Sequence, residues 1–220
     1  MDIQRISGFL SALEENNNRE WFEEHRNEYK SQIEIPFRDF IQSLLDRISE
    51  WENTGPLRSA DAIFRIYRDI RFSKDKTPYK THLSAIISPE GRSGMKLPGV
   101  YFEMAAGQAN LYTGIYQTDP PALKKLRVYI AMNPDEFREI YKDKDFVQYF
   151  GEIQGEKSKV IPAEFKEISL IEPLLYNKSF YAVSPISTHR MDSDRLKDEI
   201  LKRYKIARAL NKYLRRAMED

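Results

Sequence analysis

The residue types best suited to chemistry are concentrated in one segment, residues 65–82, which reads RIYRDIRFSKDKTPYKTH. Guanidinium groups offer planar pairs of donors to phosphate or carboxylate, and lysine ammonium groups add mobile positive charge. The formal net charge of the chain is only +1, so this central motif concentrates a charge that the whole sequence lacks. Such a local field attracts anions. The candidate anion-binding residues are Arg65, Arg68, Asp69, Arg71, Lys74, Lys76, Tyr79, Lys80 and His82.

The central motif has two interpretations that the sequence leaves open. In the first, cations of the motif bind a phosphorylated or carboxylated small molecule while Asp69 orients them; these cations are Arg65, Arg68, Arg71, Lys76 and Lys80. In the second, Arg68 and Asp69 form a structural ion pair and the other cations are a solvated surface. An alternative to simple binding is a hydrolase or transferase that acts on such an anion, with Asp69 or His82 as acid or base. Whether the protein is an enzyme stays open.

Other constellations carry weaker signals. Trp21 and His25 are spaced i, i+4, so they could edge a cleft beside the motif, although core packing is the favoured interpretation. The three histidines, His25, His82 and His189, are scattered and no acidic cluster accompanies them, so no metal site is predicted. The sequence also has no P-loop, no GxGxxG and no GxSxG, so it indicates no cofactor and no activated serine.

Nucleic-acid binding is the weakest of the three functional alternatives. The chain has 35 Lys+Arg against 34 Asp+Glu, so only a local patch could bind a polyanion. Residues 193–220 hold nine Lys/Arg and five Asp/Glu. Their i, i+4 pairs of acid followed by base favour a solvated, packed helix.

Composition indicates a cytoplasmic globular protein. A chain of 220 residues with 41% hydrophobic and 31% charged residues can bury one substantial core, so we expect a single domain over residues 1–220. The absence of cysteine excludes disulfides, thiolate metal sites and a cysteine nucleophile. No secretory signal and no run of about 18 apolar residues is present, so no membrane partner is expected. Nothing in the sequence indicates an oligomeric state.

Periodicity predicts the elements that must position the motif. Apolar residues at helical spacing predict N-terminal helices within 4–52, including a helix that starts at Asn17 with Glu20 completing its cap. Alternation predicts strands at 62–72, 82–88, 100–105 and 111–117, and an edge strand at 180–183. Residues 119–218 should be mainly helical and end in a long helix from Ser193. The predicted fold is α+β, an antiparallel sheet of four to six strands packed by N-terminal and C-terminal helices.

The strand predicted at 62–72 would separate the motif's residues onto two faces. Arg65, Tyr67, Asp69 and Arg71 would share the charged face, and Arg68 would lie on the apolar one. A buried guanidinium needs a partner. The partner of Arg68 should therefore help to distinguish a scaffold from a binding site.

Two stretches resemble a known family. NNNREWFEEHRNEY, at residues 16–29, and the central motif RIYRDIRFSKDKTPYKTH are similar to the motifs of the uncharacterised family whose domain of unknown function is DUF2461. The resemblance covers most of the chain. It implies a shared α+β domain and a shared motif, and it implies no reaction, because the family has no established activity.

Overall fold

Apolar residues at helical spacing build the N-terminal helices of the computed structural model, which describes residues 1–219. Asp2 caps the first helix by accepting a hydrogen bond from the Arg5 amide. The helices are α1 (Ile3–Glu15), α2 (Arg19–Glu24), α3 (Arg26–Glu28), α4 (Ile35–Glu52) and α5 (Ser59–Ala62), with a π-helical stretch (Tyr29–Glu34) leading into α4. Pro36 lies in the first turn of α4, directly after the π-helical stretch, so its missing amide hydrogen falls where the hydrogen bonding changes from π-helical to α-helical.

The cap of α2 differs from the prediction by one residue. Asn18, and not Asn17, accepts the hydrogen bond from the Trp21 amide at 2.9 Å. Either asparagine could cap a helix, and the sequence alone does not show which one has the extended backbone that a cap requires. The predicted Asn17 start was therefore wrong, and Asn17 has a different partner.

The sheet is antiparallel and has four strands, as predicted. The strands are β1 (Leu83–Ile86), β2 (Gly99–Ala105), β3 (Gln108–Ile115) and β4 (Phe180–Ser187), in the order β1-β2-β3-β4. In the pairing of β1 with β2, Ser84 is opposite Glu103 and Ala85 is opposite Phe102. Opposite residues share a face, so Ala85 and Phe102 point one way and Ser84 and Glu103 the other.

The strand predicted at 62–72 was wrong. Residues 62–72, all of which the structure describes, form no strand, and only Ile63 and Tyr67 make isolated antiparallel bridges, to Ala85 and Tyr79. Alternation in the sequence had the period of a strand, but the chain from 68 to 78 turns back on itself instead of pairing. The fourth strand of the sheet is β4, which extends beyond the edge strand predicted at 180–183.

The later part of the chain is mainly helical. Its helices are α6 (Pro120–Met132), α7 (Pro134–Tyr141), α8 (Lys144–Phe150), α9 (Ile168–Ile171) and α10 (Ser193–Glu219), with 3-10 turns at Gly91–Gly94, Ala163–Phe165 and Pro173–Tyr176. Asp119 caps α6, and prolines open α6 and α7 as the sequence indicates. The α+β class with flanking N-terminal and C-terminal helices is confirmed.

The chain divides into two compact units. The first comprises residues 1–93, 101–111 and 185–201, and the second comprises residues 94–100, 112–184 and the chain from Lys202 onward. The single-domain organisation expected from the sequence stays a prediction.

Each unit has an aromatic core. In the first, Phe37 and Phe40 of α4 pack on Phe102 of β2, with ring centroids 6.2 and 6.3 Å apart. In the second, Phe137 of α7 stacks on Tyr213 of α10 at 5.2 Å. The inner face of β2 is thus covered by α4, and its other face carries Tyr101 and Glu103.

None of the helices within residues 1–219 has the length and apolar character needed to cross a membrane.

Candidate functional site

Arg68 pairs with the protein itself. We call residues 68–78, between the bridged residues Tyr67 and Tyr79, the central loop. The Arg68 guanidinium donates to the carboxylate of Asp75 and to the hydroxyl of Thr77. Asp75 also accepts from the Thr77 amide at 2.9 Å. That amide first, and Arg68 second, lowers the pKa of Asp75 to about 2. Arg68, the first residue of the central loop, is therefore hydrogen-bonded to Asp75 and Thr77 near the end of the loop.

A second ion pair lies nearer the tip of the central loop. Arg71 donates to both oxygens of Asp69, from Nε at 2.9 Å and from Nη2 at 2.6 Å. The Arg71 side chain is the main cause that lowers the pKa of Asp69 to about 2. Lys76 donates to the Ile70 carbonyl at 2.9 Å. Asp69 is thus ionised and engaged at neutral pH, which suits a positioning group better than a general acid or base.

The tip of the central loop exposes an aromatic ring. Phe72 is 96% exposed, and the Arg71 guanidinium lies 5.9 Å from its ring centroid. The predicted strand would have placed Phe72 on the buried face, which was wrong because no sheet neighbour covers this part of the chain. Lys74 is also exposed.

The base of the motif is fixed by the side chain of Asn17. Its amide nitrogen donates to the Tyr79 carbonyl at 3.0 Å, and its amide oxygen accepts from the Tyr79 amide at 3.1 Å. The Tyr79 side chain is 3% exposed and stacks on Phe22 of α2, with ring centroids 4.0 Å apart. Tyr79 is therefore a buried anchor rather than a ligand-facing group.

Trp21 and His25 pack on each other next to this anchor. Their rings stack at 4.0 Å, and His25 Nδ1 lies 2.8 Å from the Trp21 carbonyl oxygen. Trp21 also contacts Phe9 of α1 at 5.6 Å. The ring contacts from α2 to the motif are made by Phe22, with Tyr67 and Tyr79. These contacts favour the core-packing interpretation of Trp21 and His25.

The last residues of the motif meet the polar face of β2. His82 precedes β1 and has the same parity as Ser84, so it shares a face with Glu103. His82 Nε2 lies 3.7 Å from Glu103 Oε2, and the side chains are 30% and 21% exposed. The hydroxyl of Tyr101 donates to the same carboxylate at 3.5 Å.

Two cations complete this group. Lys80 Nζ lies 5.2 Å from the ring centroid of Phe64, and Phe64 packs edge-on against Tyr101 at 5.9 Å. Burial first, and the Arg65 charge second, lowers the pKa of Lys80. We call this group the His82 cluster; its members are Phe64, Arg65, Lys80, His82, Tyr101 and Glu103.

The His82 cluster holds its imidazole neutral. Burial is the largest cause that lowers the pKa of His82, and the Lys80 charge lowers it further while Glu103 opposes both. At neutral pH the cluster therefore has two cations, one carboxylate and an uncharged imidazole. That combination can bind an anion and also accept a proton.

The structure separates the predicted site residues into two groups. Arg65, Lys80 and His82 lie in the His82 cluster, whereas Arg68, Asp69, Arg71, Lys74 and Lys76 belong to the central loop. Sequence reasoning missed Glu103 and the role of Asn17. Alternation in residues 100–105 predicts that Glu103 and Phe102 lie on opposite faces of the strand. The contact between Glu103 and His82 depends on the register of β1 with β2, which the sequence does not specify.

The second unit contains a cleft of about 450 Å³ that does not involve the central motif. Four carboxylates line it, from Glu136, Glu139, Asp143 and Asp145, together with Lys205. An anionic ligand would be repelled there, so the cleft does not compete with the motif as an anion site.

Comparison with known proteins places the chain in a family whose description names no activity. The family model described as "Conserved hypothetical protein (DUF2461)" matches residues 5–213. The chain belongs to the DUF2461 family. The resemblance inferred from the two motifs is thus confirmed. No curated protein and no solved structure matches the chain, so membership in DUF2461 transfers no reaction or ligand.

The paired hydrogen bonds of Asn17 predict a large loss of stability on truncation. Asn17→Ala leaves the amide and carbonyl of buried Tyr79 without their partner, and we expect the free energy of unfolding to fall by about 2–4 kcal/mol. Asn16→Ala is the matched control, because Asn16 makes one bond to the Ala12 carbonyl, and about 0.5–1 kcal/mol should be lost. Denaturant unfolding measures both. Equal losses would contradict the role assigned to Asn17.

The ion pairs of the central loop predict a specific acid titration. Because the pKa of Asp69 and of Asp75 is lowered from 3.8 to about 2, their contribution to stability is complete above pH 3.8 and is lost as pH falls towards 2. Carbon NMR should show both carboxylates still ionised at about pH 3. Arg71→Met should raise the titration midpoint of Asp69 and leave that of Asp75 in place. A wild-type midpoint near 3.8 would show that the pairs do not form.

Proposed function

We propose that this protein binds a phosphorylated or carboxylated small molecule in the cytoplasm, at the His82 cluster. The observation that carries the proposal is that Arg65 and Lys80 lie close to each other, beside the half-buried imidazole of His82. Neither cation forms an ion pair with another residue among 1–219. Burial disfavours the charge of Lys80, and the charge of the exposed Arg65 repels it. A bound anion relieves that repulsion.

The arginines of the central loop have a supporting role in this proposal. Arg68 donates to Asp75 and Thr77 and Arg71 donates to Asp69, so the charges of both arginines are already balanced by protein carboxylates and attract a further anion less strongly. Exposed ion pairs are individually weak, but here they close a turn with backbone bonds. The loop network thus shapes the motif, and the His82 cluster supplies the binding charges.

Nucleic acid is not the proposed ligand. On α10, Arg203 donates to the Ser184 hydroxyl at 2.9 Å, Arg215 to the Pro98 carbonyl at 2.8 Å, and Arg216 to the Tyr129 hydroxyl at 3.0 Å. Because these arginines donate hydrogen bonds to acceptors of the protein itself, the contacts favour a packed helix over a phosphate-binding surface.

Removal of the two cations should weaken anion binding. We expect Arg65→Ala and Lys80→Met each to reduce affinity for the tightest anion of a panel of phosphorylated and carboxylated metabolites by about tenfold or more, since each removes a charge-assisted hydrogen bond. Methionine retains the lysine stem that packs on Phe64. Isothermal titration calorimetry measures the affinities.

The matched control is Lys74→Met on the exposed part of the central loop. It should change affinity by less than about threefold, because screened charges away from the ligand contribute little. Unchanged binding in Arg65→Ala and Lys80→Met, or a larger loss in Lys74→Met, would refute the proposed site.

The pairing of His82 with Glu103 favours one second candidate, a hydrolase or transferase that acts on the bound anion. A carboxylate beside Nε2 can orient a neutral imidazole, and Nδ1 then remains available as a base. His82 is better suited than Asp69, whose carboxylate is held by Arg71.

Turnover separates this candidate from simple binding. In an assay of phosphate and carboxylate esters, we expect His82→Gln to lower the rate by about a hundredfold or more, as for loss of a general base. Asp69→Asn should retain most of the activity. A wild-type rate equal to that of buffer, or equal rates in wild type and His82→Gln, would exclude the role of His82.

A further inference from the structure

We propose that the ligand of the His82 cluster carries hydroxyl groups next to its anionic group, as polyol phosphates and sugar phosphates do. This inference rests on the proposed function, because it concerns the same site. It follows from the acceptors that accompany the two cations.

The first acceptor is the carboxylate of Glu103. It lies on the sheet face that carries His82, and its Oε2 is 3.7 Å from His82 Nε2 and 3.5 Å from the Tyr101 hydroxyl. A carboxylate accepts hydrogen bonds and repels a bare anion. A site built for a simple anion would gain from the absence of this charge. A ligand with a donor beside its phosphate or carboxylate makes use of it.

The second acceptor is the imidazole of His82. Glu103 Oε2 lies 3.7 Å from Nε2, so its charge favours the tautomer of the neutral ring with the proton on that nitrogen and the lone pair on Nδ1. Two acceptors therefore lie near Lys80, whose ammonium packs over Phe64 next to Tyr101, and the charge of Arg65 acts on the same lysine. In a ligand with hydroxyl groups next to its anionic group, the anionic group can bind the cations while the hydroxyls donate to the two acceptors.

The third feature is an aromatic wall. Phe64 and Tyr101 pack at 5.9 Å with their planes 61° apart, and the Lys80 ammonium lies 5.2 Å from the Phe64 ring centroid. Ligand sites commonly combine an apolar wall with a few convergent polar groups. The carbon skeleton of a polyol or sugar has C–H groups that can lie against such rings while its hydroxyls reach the acceptors.

The test compares two probes that differ only in hydroxyl groups. Glycerol 3-phosphate and n-propyl phosphate share a phosphate and a three-carbon chain. At one pH and ionic strength, calorimetry should show that the wild-type protein binds glycerol 3-phosphate about tenfold or more tightly, the factor expected for a hydrogen bond to a charged acceptor.

Glu103→Gln is the informative variant. It keeps the size of the side chain and removes its charge, so n-propyl phosphate should bind more tightly and the preference should fall to about threefold or less. The exposed carboxylate of Glu24 supplies the matched control, since Glu24→Gln should leave the preference unchanged. Thermal unfolding establishes whether each variant is folded. If a variant does not fold, the wild-type affinities for the two probes still test the hydroxyl preference.

The outcomes distinguish the two claims. Equal wild-type affinities for the two probes, both weakened by Lys80→Met, would overturn the hydroxyl preference and leave the anion site in place. A preference that persists unchanged in folded Glu103→Gln would remove the role assigned to Glu103. Failure of both probes to bind the wild-type protein would overturn the inference, and the metabolite panel with its Arg65 and Lys80 variants would then decide the anion site separately.

Discussion

The pairing of the Asn17 side chain with the Tyr79 backbone is the constraint on which the rest of the motif depends. Both polar groups of one buried residue are satisfied by one amide at the start of α2, and the Tyr79 ring stacks on Phe22 of the same helix. Lys80 and His82 follow directly in the chain, so their positions are set by this anchor. The sheet then supplies Glu103 through the register of β1 with β2.

The positively charged residues of the motif fall into two groups, those paired with a carboxylate and those without an ion pair. Arg68 is paired with Asp75 and Arg71 with Asp69, and the pKa of both carboxyls is lowered, at Asp69 mainly by Arg71 and at Asp75 first by the Thr77 amide and then by Arg68. Lys80 is partly buried, and burial first and the Arg65 charge second lower its pKa, while the Glu103 carboxylate opposes them only in part. A polypeptide keeps such an arrangement at a cost to stability, which binding of an anion would offset.

Sequence periodicity predicted the helices and most strands because α1, α4 and α10 bury regular stripes, and β2 and β3 alternate strictly. The strand predicted at 62–72 does not form, because these residues alternate in polarity but make only isolated bridges, at Ile63 and Tyr67. For the candidate site, residue types alone singled out Lys80 and His82. Glu103 required a strand register, and Asn17 required knowledge of which asparagine caps α2. Both depend on tertiary contacts that local patterns do not contain.

The most direct test of the central claim is an amide NMR titration with inorganic phosphate, which locates the bound anion without any substitution. Anion binding at the His82 cluster predicts that the largest chemical-shift changes fall on the amides of Arg65, Lys80 and His82, while the amide shifts of residues 71–74 at the loop tip do not change. Changes centred on residues 71–74, or none at saturating phosphate, would contradict it.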